Sequence, residues 1–470
     1  MIDLNMELRT GSGNCLYEQI YEHIKKEIRE GKLLAGEKLP SARSLAEYLQ
    51  VSRNTVDFAY EQLLSEGYIE ARPYKGHFVC RVEDLYSLPK TPEAAGTGGR
   101  VIKQGKQEYP FDFSPNAIDM SAFPFSVWNR ISRGVFAEQG IFTSGSPQGE
   151  EELRITISRY LHSSRGVNCS PEQIIIGAGN DYLLMLLEKI LGRHVNIAME
   201  NPTYKHAFDL LGSFAYHITA VDMDEAGMKV EDLKNKPVTA AYVMPSHQFP
   251  TGVVMPIGRR SELLGWAAQD PERYLIEDDY DSEFRYRGKP IPSLQGADQS
   301  GSVIYIGTFS KAIAPAIRIS FMVLPHSLLE AYREQCGFYS STVSRIDQRI
   351  LNRFISEGHF ERHLNRMRKV YKAKHDKMLL LLKPFRKSFH ISGENAGLHL
   401  LLTCQDDRSE EELIRMAAQE GVKVYGLSES FVAGKPAPPW NQGAVLLLGY
   451  GGLSEKEMEE GMKRLSQAWL

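Results

Sequence analysis

Cysteine is scarce in this chain and its spacing is uninformative: the five residues at 15, 80, 169, 336 and 404 include no CxxC pair and no histidine partner at zinc spacing. Neither a disulfide framework nor a metal site is expected, and the thiols read as buried groups in a reducing cytoplasm. Long apolar runs are missing too. No stretch approaches the ~20 residues that cross a bilayer, and Met1-Ile-Asp-Leu-Asn-Met-Glu-Leu-Arg9 has no basic start leading into an apolar core. Export and membrane insertion are therefore not expected. An excess of one charge is also absent, since 55 Lys and Arg against 59 Asp and Glu leave a net charge of −4. Any contact with nucleic acid has to come from a local arrangement of charge.

What the chain has is length and an ordinary balance of residues. At 470 residues, with 42% hydrophobic and 24% charged, it reads as a soluble globular protein too long for a single core. Near its start, Leu16, Ile20, Ile24 and Ile28 fall on one stripe of a helix over residues 15–31, ended by Gly31. Residues 39–69 then read as a pair of helices. Ser41 caps one that runs to about Leu49, and Ser52 caps another that runs to about Glu66 and stops at Gly67. Residues 68–80 alternate around the charged tip Arg72-Pro-Tyr-Lys-Gly76, the pattern of a β-hairpin wing. The whole is an α+β winged helix-turn-helix over residues 14–80.

Charge in this segment is placed rather than abundant. Lys38, Arg43, Arg53, Arg72 and Lys75 occupy cap and wing positions, while Glu18, Glu22, Glu61 and Glu66 lie in the flanking helices. Such a pattern suits double-stranded operator DNA. Arg43, Arg53, Asn54 and Thr55 at the helix starts would meet base edges and phosphates, with Lys38, Ser41 and Ser52 beside them. Lys75 and Gly76 would set the wing on the backbone or in the minor groove. The bland alternative is a helical accessory domain.

From Arg81 to about Pro110 periodicity is lost, and Leu88-Pro-Lys-Thr-Pro-Glu-Ala-Ala-Gly-Thr-Gly-Gly99 has the composition of a flexible linker, assigned to residues 81–110. Over residues 111–470, helical stretches such as 150–163, 181–191 and 358–384 alternate with apolar runs at 173–177, 240–244, 274–277, 303–306 and 319–324. That alternation predicts an α/β domain with a mainly parallel sheet. After about residue 388, strands at 397–403 and 444–449 mix with helices at 408–420 and 454–468, as in a small C-terminal α+β lobe.

The chemistry is concentrated in Ile276-Glu-Asp-Asp-Tyr-Asp-Ser-Glu-Phe284 and in Tyr305-Ile-Gly-Thr-Phe-Ser-Lys-Ala-Ile-Ala-Pro-Ala-Ile-Arg-Ile-Ser320. Pyridoxal 5'-phosphate (PLP) needs a lysine to hold its aldehyde as a Schiff base, an acid to keep its pyridine nitrogen protonated, and donors for its phosphate. Lys311 is the Schiff-base candidate, Asp278 the pyridinium partner and Tyr280 the hydrogen bond to the phenolic oxygen. Thr308, Ser310 and Arg318 suit the phosphate. The turn Gly177-Ala-Gly-Asn-Asp181 precedes a helix, so N–H groups around Gly179 and Asn180 can cradle the phosphate too. Tyr204 stacks on the pyridine ring or merely packs its loop. His247, in Met244-Pro-Ser-His-Gln-Phe-Pro-Thr-Gly252, faces the cofactor or bonds to loop backbone.

Residues 14–80 resemble the GntR winged-helix family through Tyr17-Glu-Gln-Ile20, Gly36-Glu-Lys-Leu-Pro-Ser-Ala-Arg43, Val51-Ser-Arg-Asn-Thr-Val56 and Glu66-Gly-Tyr-Ile69. Residues 110–470 resemble fold-type I aminotransferases, and Ser146-Pro-Gln-Gly149, Leu153-Arg154, Arg165-Gly166 and His247-Gln-Phe-Pro-Thr-Gly252 carry that likeness with the lysine motif. Together they resemble the MocR subfamily of GabR-type regulators, in which an aminotransferase-like domain has become a sensor. The resemblance implies a cytoplasmic, PLP-dependent transcriptional regulator that is a homodimer and senses an amine or amino-acid-like effector through aldimine exchange at Lys311. Some positions depart from the pattern. The strand Val445-Leu-Leu-Leu-Gly-Tyr450 lacks the arginine for a substrate carboxylate, Phe249 replaces the asparagine of an Asn-Pro-Thr-Gly turn, and the pocket arginines of γ-aminobutyrate sensors correspond to His206 and Glu429. Full transamination and γ-aminobutyrate sensing are not expected. An active aminotransferase with an accessory winged helix, and a sensor of PLP itself, stay open as alternatives.

Overall fold

The computed structural model describes Met6, Leu8 and residues 15–81, 109–192, 194–214, 216–286, 291–434 and 438–470. Nearly all of the linker expected at 81–110 lies outside the described residues. The chain divides into two compact units, residues 1–106 and 107–470.

In the first unit, isoleucines four apart produce helix α1 (Leu16–Arg29), which buries Ile20, Ile24 and Ile28. Helix α2 (Ala42–Leu49) begins where the Ser41 side chain accepts the Ser44 N–H, and helix α3 (Arg53–Ser65) where Ser52 does the same for Thr55. Each cap satisfies a donor that the first helical turn leaves unpaired, a gain of about 1 kcal/mol. Strands β1 (Ile69–Arg72) and β2 (Gly76–Val79) pair antiparallel, with Ile69 opposite Val79 and Arg72 opposite Gly76. Val56, Ala59, Tyr60 and Leu63 of α3 share one core with the α1 isoleucines, Ile69 and Val79. This is the winged helix-turn-helix that the caps and the wing predict.

The second unit opens with strand β3 (Phe111–Asp112) and helices α4 (Phe125–Phe136) and α5 (Glu151–Arg165). Strand β4 (Ile174–Gly177) leads into α6 (Asn180–Leu191), and β5 (Asn196–Asn201) into α7 (Lys205–Ser213). A hairpin of β6 (His217–Asp224) and β7 (Gly227–Met228) follows, then β8 (Ala240–Val243), β9 (Tyr274–Asp279), β10 (Val303–Thr308) and β11 (Ser320–Val323). These form an eight-stranded sheet in the order β4-β11-β10-β9-β8-β5-β6-β7. Neighbours from β10 through β6 are parallel, while β11 runs antiparallel to both β10 and β4. The carboxyl ends of β4, β5, β8, β9 and β10 therefore share one edge, where open α/β sheets bind ligands.

The remaining strands are β12 (Phe389–Ser392), β13 (His399–Cys404), β14 (Val422–Lys423), β15 (Tyr425–Gly426) and β16 (Val445–Gly449). Four of them make an antiparallel sheet ordered β12-β13-β16-β15, the expected C-terminal lobe, and β14 pairs with β3. Leu400, Leu402, Leu446 and Leu448 of this lobe pack on Tyr371 and Met378 of the 23-residue helix His359–Leu381. No described helix is long and apolar enough to cross a membrane.

Candidate functional site

A cavity of about 310 Å³ opens at the carboxyl edge of the sheet. Lys311 lies in its wall, in the turn after β10, with Nζ 3.4 Å from the Pro115 carbonyl oxygen and 4.9 Å from the centre of the Tyr280 ring. Burial pushes the Lys311 ammonium down from its ordinary value, against the pull of Asp281. A buried amine with a lowered pKa is the form in which lysine acts as a nucleophile.

Across the cavity, β9 runs two residues further than the 274–277 expected, so the acidic run lies inside a strand. Alternation along a strand then sends neighbouring carboxylates to opposite faces. Asp278 turns to the cavity, where Tyr242 donates to one of its oxygens and Asn180 Nδ2 lies 3.4 Å from the other. Burial pushes its carboxyl up to about 7, with Tyr242 pulling the other way and Asp279 adding repulsion. Asp279 and Glu277 belong to the opposite face. Asp279 pairs with buried Arg165 at 2.7 Å and accepts from Tyr305 at 2.5 Å. Glu277 accepts the backbone N–H groups of Leu294 and Gln295 at 2.8 and 2.9 Å.

Tyr280 lines the cavity, and its hydroxyl has a side-chain partner. That oxygen lies 2.9 Å from His247 Nδ1, which is also 2.9 Å from an Asp281 oxygen. His247 thus occupies neither position expected for it. It is not among the residues of the cavity wall and is held by two side chains, meeting Tyr280 at its hydroxyl with the ring centroids 6.0 Å apart. Gly397 closes over it: a Cβ there would fall 1.9 Å from His247 Cε1.

The rest of the wall includes Gly179, Asp181, Arg318, Ser310 and Thr308. Gly179 precedes α6 with φ +91°, and a Cβ on it would lie 2.5 Å from Arg318 Nη2. Arg318 is itself held at φ +50°, a left-handed conformation that costs a non-glycine residue about 1–2 kcal/mol. Its guanidinium meets Asp181 at 3.2 Å, and Asp181 also takes His206 Nε2 at 3.0 Å. Ser310 Oγ and Asn180 Oδ1 are buried without a hydrogen-bond partner among the described residues. Thr308 lies on the wall, but its hydroxyl oxygen already accepts from Ser310 N–H at 3.2 Å and from Ser320 Oγ at 2.9 Å.

Tyr204 lines the wall edge-on to Phe249, their centroids 5.6 Å apart. His206 also reaches the wall, whereas Glu429 is exposed in the turn Ser428–Ser430 and is not part of it. That turn is tied to the end of β5, since Thr203 N–H donates to Ser430 O at 2.9 Å and Val432 N–H to Asn201 Oδ1 at 3.0 Å. Asn116, Tyr242, Phe249 and Ser320 line the cavity without having been anticipated as site residues. Only Tyr242 left a signal, because a tyrosine in an apolar strand needs a partner for its hydroxyl.

In the first unit, Arg43 and Arg53 are exposed at the heads of α2 and α3, each beside an acid one turn on: Glu47 at 3.1 Å and Asp57 at 3.4 Å. Asn54, Lys38, Lys75 and Gly76 are exposed as well. Ser41 and Ser52 use their oxygens on the helix caps, and Ser52 Oγ also lies 2.8 Å from Thr55 Oγ1.

Residues 16–79 match the family of bacterial regulatory proteins, gntR family, and residues 110–464 match aminotransferase class I and II. The chain is similar to the HTH-type transcriptional regulator YdeL of Bacillus subtilis, 40% identical over 97% of this chain and 96% of the relative. It is also 34% identical to the probable rhizopine catabolism regulatory protein MocR of Rhizobium meliloti, over 97% of this chain and 94% of that one. Among solved structures, the kynurenine aminotransferase of Pyrococcus horikoshii superimposes with a TM-score of 0.67 at 24% identity, covering 77% of this chain and 91% of its own.

Proposed function

The chain belongs to the MocR-type transcriptional regulators, in which a gntR-family helix-turn-helix is fused to an aminotransferase class I and II domain, and from that premise we propose that it holds PLP at Lys311 and answers to a small amine. The observation that carries the reading is the joint presence of Lys311 and Asp278 in one cavity, whose wall also holds Ser310 with its Oγ buried and without a hydrogen-bond partner among the described residues. Those residues fit the cofactor. Buried Lys311 meets the aldehyde, Asp278 the ring nitrogen, and Ser310, Arg318 and the N–H groups at the start of α6 the phosphate. A pyridinium beside Asp278 would draw its raised pKa back down, which favours ionised carboxylate and protonated ring together. When bound, the cofactor supplies an electrophilic carbon that condenses with primary amines. Lys311, once displaced, is the group free to move, and Tyr280, anchored by His247 and Asp281, keeps its ring against that movement.

The effector follows from charge. No arginine is present in β16, and Arg318 on the wall is assigned to the cofactor phosphate, so a carboxylate entering beside the cofactor lacks the bidentate partner that such groups favour. Losing a charge-assisted pair of that kind costs roughly a hundredfold in affinity. Glu429, exposed in a turn tied to the end of β5, would repel an approaching carboxylate and attract an ammonium. An amine with a second cationic or neutral polar end is thus the favoured effector. Titrating the purified protein with a panel of amines and following the absorbance of the bound cofactor should give saturable change with such compounds and little with γ-aminobutyrate. Tight conversion by γ-aminobutyrate, or steady keto-acid production from an α-amino acid, would overturn the effector assignment.

The regulator is proposed to act in the cytoplasm as a homodimer on operator DNA, residues 81–110 linking the DNA-binding segment 14–80 to the sensor 111–470. Exposed Phe136 and Phe142, 6.4 Å apart, support a covered apolar face on the sensor. Arg43, Arg53, Asn54 and Thr55 are assigned to the DNA. Arg53→Ala is expected to weaken operator binding by about 1–3 kcal/mol if the guanidinium reads a guanine. Gel shifts at several salt concentrations test this, and wild-type affinity in both Arg43→Ala and Arg53→Ala would move the DNA surface elsewhere.

A further inference from the structure

The turn that closes the wing has a shape its sequence does not favour. Lys75 N–H donates to Arg72 O at 3.0 Å, with Pro73 and Tyr74 between them, and Tyr74 has φ +61°. Proline followed by a residue of positive φ is the pattern of a type II turn, whose third position selects glycine or asparagine because a Cβ there crowds the next carbonyl. Glycine is used next door, at Gly76, where a Cβ would lie 3.3 Å from Lys38 Cε. At position 74 the chain keeps a tyrosine instead, at a cost in folding free energy.

Nothing among the described residues compensates. The Tyr74 side chain is fully exposed, at 108% of its reference area, and it makes no hydrogen bond or ring contact among the described residues. Its surroundings are cationic: Lys75 follows it, Lys38 lies beside Gly76, and Arg72 covers the Phe78 ring at 4.4 Å. The nearby acids have partners, Glu70 in Arg72 at 2.7 Å and Glu37 in the Leu34 N–H at 2.8 Å. A strained, outstretched aromatic among cations suits a polyanion that also offers an apolar surface.

We infer that Tyr74 is a specificity-determining contact with DNA, entering the minor groove beside the half-site read by α3. The inference rests on the DNA-binding role given to the first unit. The ring packs on deoxyribose, and the hydroxyl donates to a minor-groove acceptor. An A·T pair offers only acceptors there, whereas G·C adds the guanine amino group, so Tyr74 prefers A·T at the flank.

The test is selection from a random duplex library with the full chain, comparing wild type, Tyr74→Gly, Tyr74→Phe and Arg53→Ala. Wild type should enrich A·T pairs flanking a central half-site. Tyr74→Gly should keep the half-site, lose the flank preference and bind about tenfold more weakly, while its thermal midpoint is unchanged or higher. Tyr74→Phe should keep most of the affinity and relax the flank. Arg53→Ala should lose the central half-site instead. If Tyr74→Gly binds within about twofold of wild type with the same flank, the inference fails and the DNA reading stands. If folded wild type enriches no duplex at all, both fail.

Discussion

Lys311→Ala should leave a folded protein that no longer holds PLP covalently. The wild-type amine makes one long hydrogen bond, 3.4 Å to the Pro115 carbonyl, and otherwise only faces the Tyr280 ring. Removing it takes a poorly solvated ammonium out of the interior, so stability should not fall. The groups proposed to hold the phosphate remain, and reversible binding of the cofactor should persist. Treatment with borohydride followed by mass spectrometry of the intact chain provides the readout. Wild type should gain the mass of one reduced cofactor and the variant none. A variant still labelled within the site would transfer the attachment to another lysine.

Arg165→Ala should be the most damaging single change in the second unit. Its guanidinium is buried against Asp279, Ser246 Oγ and the Ile291 carbonyl, and the truncation strands the Asp279 carboxylate in the interior. Breaking one side of a buried pair costs on the order of 3–5 kcal/mol, most of it the penalty on the charge left behind. All four tryptophans, at 128, 266, 440 and 469, fall in the second unit, so fluorescence during urea unfolding follows that unit alone. The double variant Arg165→Met with Asp279→Leu should recover much of the loss, because no unpaired charge remains. A double variant as unstable as Arg165→Ala would show that packing, not charge, is what Arg165 contributes.

The fold was legible wherever the signal is local. Ser41, Ser52 and Gly67 mark helix ends within a few residues of the apolar stripes they bound, and the wing follows from alternation over about a dozen positions. Lys311, Ser310 and Arg318 fall within one short motif, which is why their meeting in one cavity was legible. Partners far apart in the chain were not legible. Asp278 and Tyr242 meet across 36 positions, Arg165 and Asp279 across 114. The length of β9 was underestimated for a related reason: consecutive acids argue against a buried strand until their separate partners on its two faces are known. The side-chain partners of His247, Tyr280 and Asp281, were not legible because a turn motif shows that a residue is near the sheet edge, not which side chains it meets there. Strands β5 and β6 were not singled out, since Asn196, Glu200 and Asn201 break the apolar run of the first and the second alternates.

The pairing of β4 with β11 has a consequence for synthesis on the ribosome. Gly177 and Ser320 are neighbours in that pairing, and the cavity between β4 and β10 has no complete wall until the residue-320 region has left the exit tunnel. The first unit needs nothing beyond residue 81 for its described core. A nascent chain can therefore finish its helix-turn-helix long before the ligand cavity closes, since local contacts form ahead of distant ones and domains fold from the amino terminus onward. Each new molecule passes through an interval in which the helix-turn-helix is built and the cavity around Lys311 is not.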